Sequence, residues 1–238
     1  MASNLGTQAI NVRAIAPGSV KVCGIRAVEH ALAAADAGAD LIGMIFAPAR
    51  RQVTVEVARL IANALHAAHP GVRLVGVFVD ATPAEINLAA EAAGLDLVQL
   101  NGDETPEVVA RIDRGVIKAF RPRPGEAAAA LAGRIGSFLA APKPPIAVLI
   151  DGYDPHAHGG TGVRADWHLV AQLSDRLGQS VGLAGGLTPA NVGAAIGQVR
   201  PLFVDTSSGV ERDGIKDVQR ISDYVTAARV GFHDGVSD

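Results

Sequence analysis

The sequence predicts an α/β fold, a (β/α)8 TIM barrel formed by a single domain, and three observations predict it. A short β-branched or aliphatic run, a turn and an alanine-rich amphipathic segment follow one another in that order eight times. The composition, 49% hydrophobic and only 4% aromatic, suits an aliphatic core and a parallel sheet covered on both faces. The 238 residues contain no linker of changed composition, so we expect one domain.

The apolar runs, each bounded by turn residues, are the predicted strands. In chain order they cover residues 20–24, 41–46, 73–79, 95–100, 115–120, 146–150, 180–184 and 201–206. The segments between them have helical periodicity and cover residues 28–37, 55–69, 83–93, 106–112, 125–139, 165–177, 189–198 and 216–228. Threonine–proline pairs at Thr82, Thr105 and Thr188 are signals for the start of a helix. Glycine stops a helix at Gly38, Gly71, Gly94 and Gly178.

These elements set the expected organisation of the chain. Residues 1–18 form a flexible N-terminal arm, residues 19–228 the barrel and residues 229–238 a polar C-terminal tail. The net charge of −3 and the pI near 6.2 give no electrostatic footprint for nucleic acid. No apolar run is long enough to span a membrane, and the first residues do not form a secretory signal. With one cysteine there is no internal disulfide, and we expect a cytoplasmic protein.

The only cysteine, Cys23, stands at the carboxyl end of the first predicted strand, directly before Gly24. Alternation along the strand turns Lys21 and Cys23 to the inside if Val20 and Val22 face the helices. In parallel α/β folds the carboxyl ends of the strands carry the chemistry. Cys23 is therefore a candidate base, provided that Lys21 or nearby N–H dipoles lower its pKa. The alternative is a small buried apolar side chain.

The loops after the seventh and eighth strands are a candidate phosphate site. They contain Gly185 and Gly186 in the first loop and Ser207, Ser208 and Gly209 in the second. Glycine lets the backbone approach an anion closely, and serine adds hydroxyl donors. In this fold the same two loops frequently hold phosphate. The alternative is that the glycines only close tight turns.

Asp151 ends the sixth strand, where partial burial would raise its pKa and suit it to donate a proton. Its alternative role is to cap the loop. The loop continues into Gly159, Gly160, Thr161 and Gly162, which we interpret as a mobile lid. Asp154, His156 and His158 resemble a metal cluster, but no other strand end supplies a histidine, so we expect no metal site.

Three arginines lie near the predicted mouth of the barrel. Arg50 and Arg51 follow the second strand, and either can hold a substrate carboxylate in a bidentate pair or remain solvated. Arg121 follows the fifth strand and either binds substrate or braces its loop.

Charged and polar side chains inside the barrel need partners. We expect Lys21 to pair with Asp205, because the eighth strand adjoins the first in a closed barrel. Lys118 and Gln99 are expected to form a similar polar layer with Asp151.

Eight blocks of the sequence together resemble one family. They are VKVCGIR, GADLIGMIFAPARRQV, VGVFVD, LDLVQLNGDE, IKAFRPR, LIDGYDPHAHGGTG, GLAGGLTPANV and VDTSSGVERDGIKD. In order, over nearly all of residues 20–225, they resemble the phosphoribosylanthranilate isomerases of tryptophan biosynthesis. The resemblance implies a barrel without cofactor that converts phosphoribosylanthranilate to 1-(2-carboxyphenylamino)-1-deoxyribulose 5-phosphate. It also implies that Cys23 is the general base, Asp151 the general acid and Arg51 the residue that faces the anthranilate carboxylate.

The chain departs from the family pattern at three positions near the mouth. It has Asn101 where the family usually has histidine, Gln52 where an aromatic is common and Ala49 where serine is usual. These departures bear on substrate affinity and motivate the first of two alternatives. One is a repurposed barrel that binds a phosphorylated ribose ligand, and the other is a metal-dependent sugar-phosphate epimerase. A monomer and a homodimer both fit the sequence.

Overall fold

A computed structural model describes residues 14–152 and 164–234, in which eight parallel strands close into a barrel. The strands are β1 (Ser19–Val22), β2 (Leu41–Ile45), β3 (Arg73–Phe78), β4 (Leu97–Leu100), β5 (Gly115–Phe120), β6 (Ala147–Ile150), β7 (Gly182–Leu183) and β8 (Phe203–Thr206). Each strand pairs with the next in sequence, and β8 pairs with β1. The predicted fold class is confirmed.

A helix follows every strand of the barrel. The helices are α1 (Val28–Asp36), α2 (Val55–Ala68), α3 (Pro83–Ala93), α4 (Pro106–Ala110), α5 (Ala128–Leu139), α6 (Trp167–Leu177), α7 (Val192–Val199) and α8 (Val218–Asp234). Thr82 forms the predicted cap of α3, where its side chain and that of Glu85 each accept a backbone N–H from the other's residue. In the described part of the chain, no helix has the length and hydropathy to cross a membrane.

The last helix is longer than expected. Residues 229–234, which the sequence analysis places in a polar tail, continue α8 and end at Asp234. The cause is packing at its end, because Phe232 lies against Gly18, which precedes β1. Arg229 adds hydrogen bonds to the carbonyls of Gly18 (2.9 Å) and Gly38 (2.6 Å). The predicted boundary at residue 228 is therefore wrong.

The arm expected at residues 1–18 is described only from residue 14. Ile15 is 3% exposed and packs in the apolar cluster inside the barrel, with Leu41, Leu97 and Phe203 among its members. Ser19 donates its hydroxyl hydrogen to the carbonyl of Ala16 (2.7 Å). The part of the arm next to the barrel is thus bound to it, because Ile15 buries apolar surface there.

Two apolar layers surround the strands. One lies inside the barrel, and the other lies between the strands and the helices and includes Val20 and Val22. This confirms the predicted alternation of β1, in which Val20 and Val22 face the helices. Lys21 and Cys23 consequently face inward.

A short hairpin follows β8 and was not predicted. After one 3-10 turn (Ser208–Val210), strands β9 (Glu211–Arg212) and β10 (Ile215–Lys216) pair antiparallel. Asp213 and Gly214 form its two-residue loop with φ of 52° and 79°. Positive φ at both loop positions is the usual requirement of a type I′ hairpin turn. The hairpin brings Glu211 and Lys216 next to the mouth of the barrel.

Candidate active site

Cys23 lies directly after β1 at the carboxyl end of the barrel. Its backbone N–H donates to the carbonyl of Thr206 in β8 (2.8 Å), which holds it at the seam where the barrel closes. The residue is 6% exposed. A Cβ atom on Gly43 in β2 would lie 2.7 Å from the sulfur. The thiol therefore occupies space that exists only because position 43 has no side chain.

Lys21 and Asp205 are paired neighbours across β1 and β8. The ammonium nitrogen lies 2.8 Å from Oδ2 of Asp205, and Lys21 is fully buried, so the predicted ion pair is confirmed. Burial alone would lower the pKa of Lys21, but Asp205 and then Cys23 outweigh it and raise the pKa. Lys21 thus stays charged beside the thiol.

Burial and three neighbouring charged side chains act on the ionisation of Cys23. Burial raises the pKa of the thiol, and the charge of Asp205 adds to this increase. Lys21 and Lys216 act in the opposite direction because their positive charges stabilise a thiolate. Lys21 therefore acts in the expected direction, but the net pKa of Cys23 is raised, not lowered.

Asp151 follows β6 at the same mouth and is 8% exposed. Its backbone N–H donates to the carbonyl of Phe120 (3.0 Å), and its Oδ1 accepts the N–H of Gly152 (2.8 Å). Burial, followed by the charge of Asp205, raises the pKa of Asp151 to about 6, although Gly152 and Arg121 oppose the shift. A carboxyl with this pKa is partly protonated near neutral pH and is able to donate a proton.

Both glycines of the loop after β7 have a backbone conformation with positive φ. Gly185 and Gly186 have φ of 89° and 63°, in the region that favours glycine. A Cβ atom on Gly185 would lie 2.4 Å from the backbone nitrogen of Gly152. The candidate phosphate loop is therefore packed directly on the residue that follows Asp151.

The loop after β8 packs on the same region. A Cβ atom on Gly209 would lie 1.9 Å from the carbonyl oxygen of Leu187, which also accepts the hydroxyl hydrogen of Thr206 (2.8 Å). A Cβ atom on Gly24 would lie 2.9 Å from the hydroxyl oxygen of Ser207. Ser208 begins the 3-10 turn that follows. This loop thus lies within contact distance of the residue next to Cys23.

Arg51 is 7% exposed and reaches the same place from the loop after β2. Its Cδ would lie 2.6 Å from a Cβ atom on Gly24. Its guanidinium donates to both carboxylate oxygens of Glu211, from Nε to Oε1 (2.5 Å) and from Nη2 to Oε2 (2.9 Å). The bidentate geometry expected for a substrate carboxylate is therefore made with a carboxylate of the protein itself.

Two further cations share that carboxylate. Arg50 donates to Glu211 Oε2 (2.7 Å) and to the carbonyl of Gly214 (2.8 Å), and Lys216 lies 3.2 Å from Oε1. We call Glu211, Arg50, Arg51 and Lys216 the Glu211 cluster. Burial alone would raise the pKa of Glu211, but the three cations hold it at about 2. The cluster fastens the hairpin to the loop after β2.

Arg121 and Asn101 meet on the opposite side of the mouth. Nη2 of Arg121 donates to the carbonyl of Asn101 (3.0 Å), which supports the bracing role that the sequence left open. Gln99 faces inward, and its amide donates to the side-chain oxygen of Asn101 (2.8 Å). Arg121 also favours the charged form of Asp151, so it lies near enough to act on the acid.

The expected grouping of Lys118 with Asp151 is wrong. Lys118 alternates with Ile117 and Ala119, which belong to the interior cluster, so its side chain faces the helices. There its ammonium binds Glu104 (2.9 Å) and the carbonyl of Gly102 (2.8 Å). Burial lowers the pKa of Lys118 although Glu104 opposes this. The pair is part of the outer layer.

Two predicted features lie outside the described residues. The lid, Gly159 to Gly162, and the side chains of Asp154, His156 and His158 fall between residues 152 and 164. Within residues 14–152 and 164–234, no three histidine, cysteine or acidic side chains are grouped as metal ligands would be.

Sequence reasoning missed Glu211 and Lys216. The signal was present, since Asp213-Gly214 is a dipeptide that favours a two-residue hairpin loop. A hairpin at this point turns Glu211 and Lys216, which are register partners, back toward the strand ends.

Comparisons with known proteins agree on one family. A family model described as N-(5'phosphoribosyl)anthranilate (PRA) isomerase matches residues 20–227. The N-(5'-phosphoribosyl)anthranilate isomerase of Roseiflexus castenholzii is 44% identical over 214 residues, which cover 88% of this chain and 97% of that protein.

Solved structures show the same relationship. A phosphoribosyl anthranilate isomerase in complex with reduced 1-(o-carboxyphenylamino)-1-deoxyribulose 5-phosphate has a TM-score of 0.74 and 33% identity, over 89% of this chain and 98% of that one. The Thermotoga maritima isomerase, a dimeric protein solved as monomers generated from it, has a TM-score of 0.73 and 33% identity at the same coverage.

Proposed function

This chain belongs to the N-(5'-phosphoribosyl)anthranilate isomerase family, and we propose that Cys23 and Asp151 perform its reaction as general base and general acid. The substrate is N-(5-phosphoribosyl)anthranilate, and the product is 1-(2-carboxyphenylamino)-1-deoxyribulose 5-phosphate. The reaction is an internal transfer of hydrogen from C2 to C1 of the sugar, by which an aminoaldose becomes an aminoketose.

One observation carries the assignment. Cys23 and Asp151 are both buried at the carboxyl end of the barrel, and the charge of Asp205 acts on the ionisation of both. The two groups that feel this buried carboxylate follow strands β1 and β6, whose carboxyl ends lie on the same side of the barrel. An acid and a base on one mouth are the two groups that the rearrangement requires.

The acid acts first. Asp151 gives its proton to the furanose ring oxygen as the bond between that oxygen and C1 breaks. The lone pair of the anthranilate nitrogen forms a double bond to C1, which yields an open-chain iminium. The raised pKa of Asp151, about 6, supports this role because it keeps part of the carboxyl protonated.

The base then acts on the neighbouring carbon. The thiolate of Cys23 takes the hydrogen from C2 as a proton, and the electron pair moves into the C1–C2 bond and onto the nitrogen. The resulting enolamine gains a proton at C1 and loses the proton of its C2 hydroxyl group, and so becomes the ketose. The substrate nitrogen accepts the electrons, so the reaction needs no cofactor.

The remaining site residues hold the two ends of the substrate. We assign the phosphate to the loops with Gly185, Gly186, Ser207, Ser208 and Gly209, whose close packing beside Gly24 and Gly152 supports this position. Arg51 holds the anthranilate carboxylate, and Glu211 orients its guanidinium plane. Arg121 braces the opposite wall and contributes to binding there. Fixing both ends aligns the ribose between acid and base.

We place the enzyme in tryptophan biosynthesis in the cytoplasm, as a monomer or a homodimer. The dimeric Thermotoga maritima relative supports either state, since it has also been solved as monomers.

The test follows the fluorescence of the anthranilate group. Purified protein is added to freshly generated phosphoribosylanthranilate with a chelator present, alongside Cys23→Ser and Asp151→Asn. Loss of signal with the unaltered protein alone is expected. Binding of inorganic phosphate to both variants should stay within a few fold of the unaltered protein, which shows that the site is intact.

Two outcomes would contradict the proposal. Near-normal turnover in either variant removes that residue from its role. A steady signal with bound substrate in the unaltered protein favours a barrel that only binds a phosphorylated ribose, and it directs attention to Asn101 and Gln52.

A further inference from the structure

The side chain of Lys216 lies closer to the reacting groups than its position in the chain indicates. It is on β10, outside the barrel strands, yet it is only 7% exposed. Its ammonium donates to the carbonyl of Ser207 (2.7 Å) and lies 3.4 Å from the hydroxyl oxygen of Ser207 and 3.2 Å from Glu211 Oε1. The hydroxyl of Ser207 in turn lies against Gly24. Gly24 is the residue directly after Cys23.

Two lysines, Lys21 and Lys216, bring positive charge to the thiol. The positive charge of Lys21 is matched by the negative charge of Asp205, whose Oδ2 lies 2.8 Å from the ammonium nitrogen. In the described part of the chain, the Glu211 cluster places three cations on one carboxylate. Lys216 is the member of that cluster whose charge acts on Cys23. A thiolate formed at Cys23 therefore meets the positive charge of Lys216, which the hairpin holds in place.

From this geometry we propose that Lys216 is a positioning residue for the base, whose ammonium, anchored on Ser207 and Glu211, stabilises the thiolate of Cys23. The groups that face the thiol are Lys21 on β1, Asp205 on β8 and Lys216 on β10. Those that face Lys216 are Glu211, Cys23 and Arg51. Burial lowers the pKa of Lys216 to about 8, although Glu211 and Cys23 raise it, so its charge is present at neutral pH. This inference rests on the proposed function of Cys23 as base.

The same contact links the base to the phosphate loop. Lys216 fixes the carbonyl of Ser207, so the loop that we assign to phosphate and the charge that stabilises the thiolate are held by one side chain. A neutral side chain at position 216 removes the charge, and a side chain that still donates to Ser207 keeps the loop. The two contributions can therefore be separated by substitution.

The experiment titrates the thiol directly. Cys23 is the only cysteine, so the ultraviolet absorbance of the thiolate, with Cys23→Ser as blank, reports one group. Lys216→Met removes both charge and donor, Lys216→Gln keeps a donor without charge, and Lys216→Arg keeps the charge. Because the pKa of Lys216 is about 8, its charge acts on the thiol only below that pH, so we expect the thiolate fraction at a fixed pH below about 8 to be about tenfold smaller in both neutral variants. Lys216→Arg should titrate close to the unaltered protein.

A purely structural role predicts a different pattern. Thiol titration that is unchanged in a folded Lys216→Gln protein would overturn the proposal, and so would the loss of folding in both neutral variants, which would make Lys216 a structural tie. Failure of the proposed function gives a distinct result: Cys23→Ser would turn over substrate normally while the titration still responded to Lys216. If both hold, kcat/KM of Lys216→Gln falls about tenfold, in step with its thiolate fraction.

Discussion

Lys21 and Asp205 share one hydrogen bond at the seam of the barrel, with Nζ 2.8 Å from Oδ2, while Oδ1 of Asp205 has no partner among the described residues. The pair lies between β1 and β8, the two strands that close the sheet. Its carboxylate acts on the ionisation of both Cys23 and Asp151. The ion pair thus connects closure of the fold with the chemistry of the site.

Lys21→Met should destabilise the protein strongly, because it leaves the carboxylate of Asp205 buried without its cation. We expect the free energy of unfolding in urea to fall by about 3–5 kcal/mol. The double variant Lys21→Met with Asp205→Leu should recover much of this loss, since no charge remains unpaired. A loss below about 1 kcal/mol in the single variant would show that water or a rearrangement compensates the carboxylate.

We expect the pH profile of kcat/KM to have the reverse of the usual assignment, with the general acid setting the acidic limb and the general base setting the alkaline limb. The pKa of Asp151 is about 6 and that of Cys23 is raised, so at neutral pH most molecules have an ionised Asp151 and a protonated Cys23. The reactive form, with a protonated Asp151 and a thiolate at Cys23, binds the same number of protons and is the less populated of the two. Its share is constant between the two pKa values and falls outside them. We expect kcat/KM to rise with a midpoint near pH 6, set by the acid, and to fall only at alkaline pH, set by the base.

Asp205→Asn tests that assignment, because the negative charge of Asp205 raises the pKa of both Asp151 and Cys23 and the variant removes this charge. In a folded Asp205→Asn protein, both limbs of kcat/KM should move to lower pH. An acidic limb that stays in place would assign it to another group.

Gly43→Ala should impair turnover more than folding. The added methyl group would lie 2.7 Å from the sulfur of Cys23 and 3.0 Å from the ammonium of Lys21, so it displaces both. We expect kcat to fall at least about tenfold, with a stability cost of about 1–3 kcal/mol from overpacking. Gly133→Ala is the matched control, because its methyl group meets nothing within 4 Å on α5. Equal kcat in both variants would contradict the placement of the thiol.

Glu211→Gln should remove stability in a pH-dependent way. The pKa of Glu211, lowered to about 2, means that its ionised form is stabilised by folding. That contribution is complete above the unfolded pKa of about 4.3 and is lost as pH falls through about 2. The melting temperature of Glu211→Gln should therefore lie below that of the unaltered protein at pH 7 and converge with it in acid.

The control for this experiment is Glu91→Gln, an exposed glutamate on α3. Its melting temperature should match that of the unaltered protein at every pH. A constant difference between Glu211→Gln and the unaltered protein would mean that the Glu211 cluster does not stabilise the fold through charge.

The sequence was sufficient to predict the features that arise from its repeating strand and helix pattern. Periodicity places all eight strands in order, and strand alternation places Cys23 inward and Lys21 beside Asp205. These features depend on local pattern and on the closure of a barrel, which fixes β8 as the neighbour of β1.

The remaining errors come from contacts that local pattern does not contain. Lys118 faces the helices because Ile117 and Ala119 fill the interior of β5, and a strand has only two faces to assign. Arg51 contacts Glu211, which is 160 residues away in the sequence. Glu211 lies on a hairpin whose strands have two residues each, too few to show a strand pattern. Burial reverses the expected sign of the pKa shift at Cys23, and its strength depends on the folded surroundings.

Phe232 near the end of α8 packs against Gly18 before β1, on the face opposite the reacting groups. The eight units therefore form a ring in which the residue before β1 and the last turn of α8 are already adjacent, and the order of the units has no privileged starting point. A circularly permuted chain, joined between these positions and opened at Gly71, would enclose the same mouth with the same neighbours.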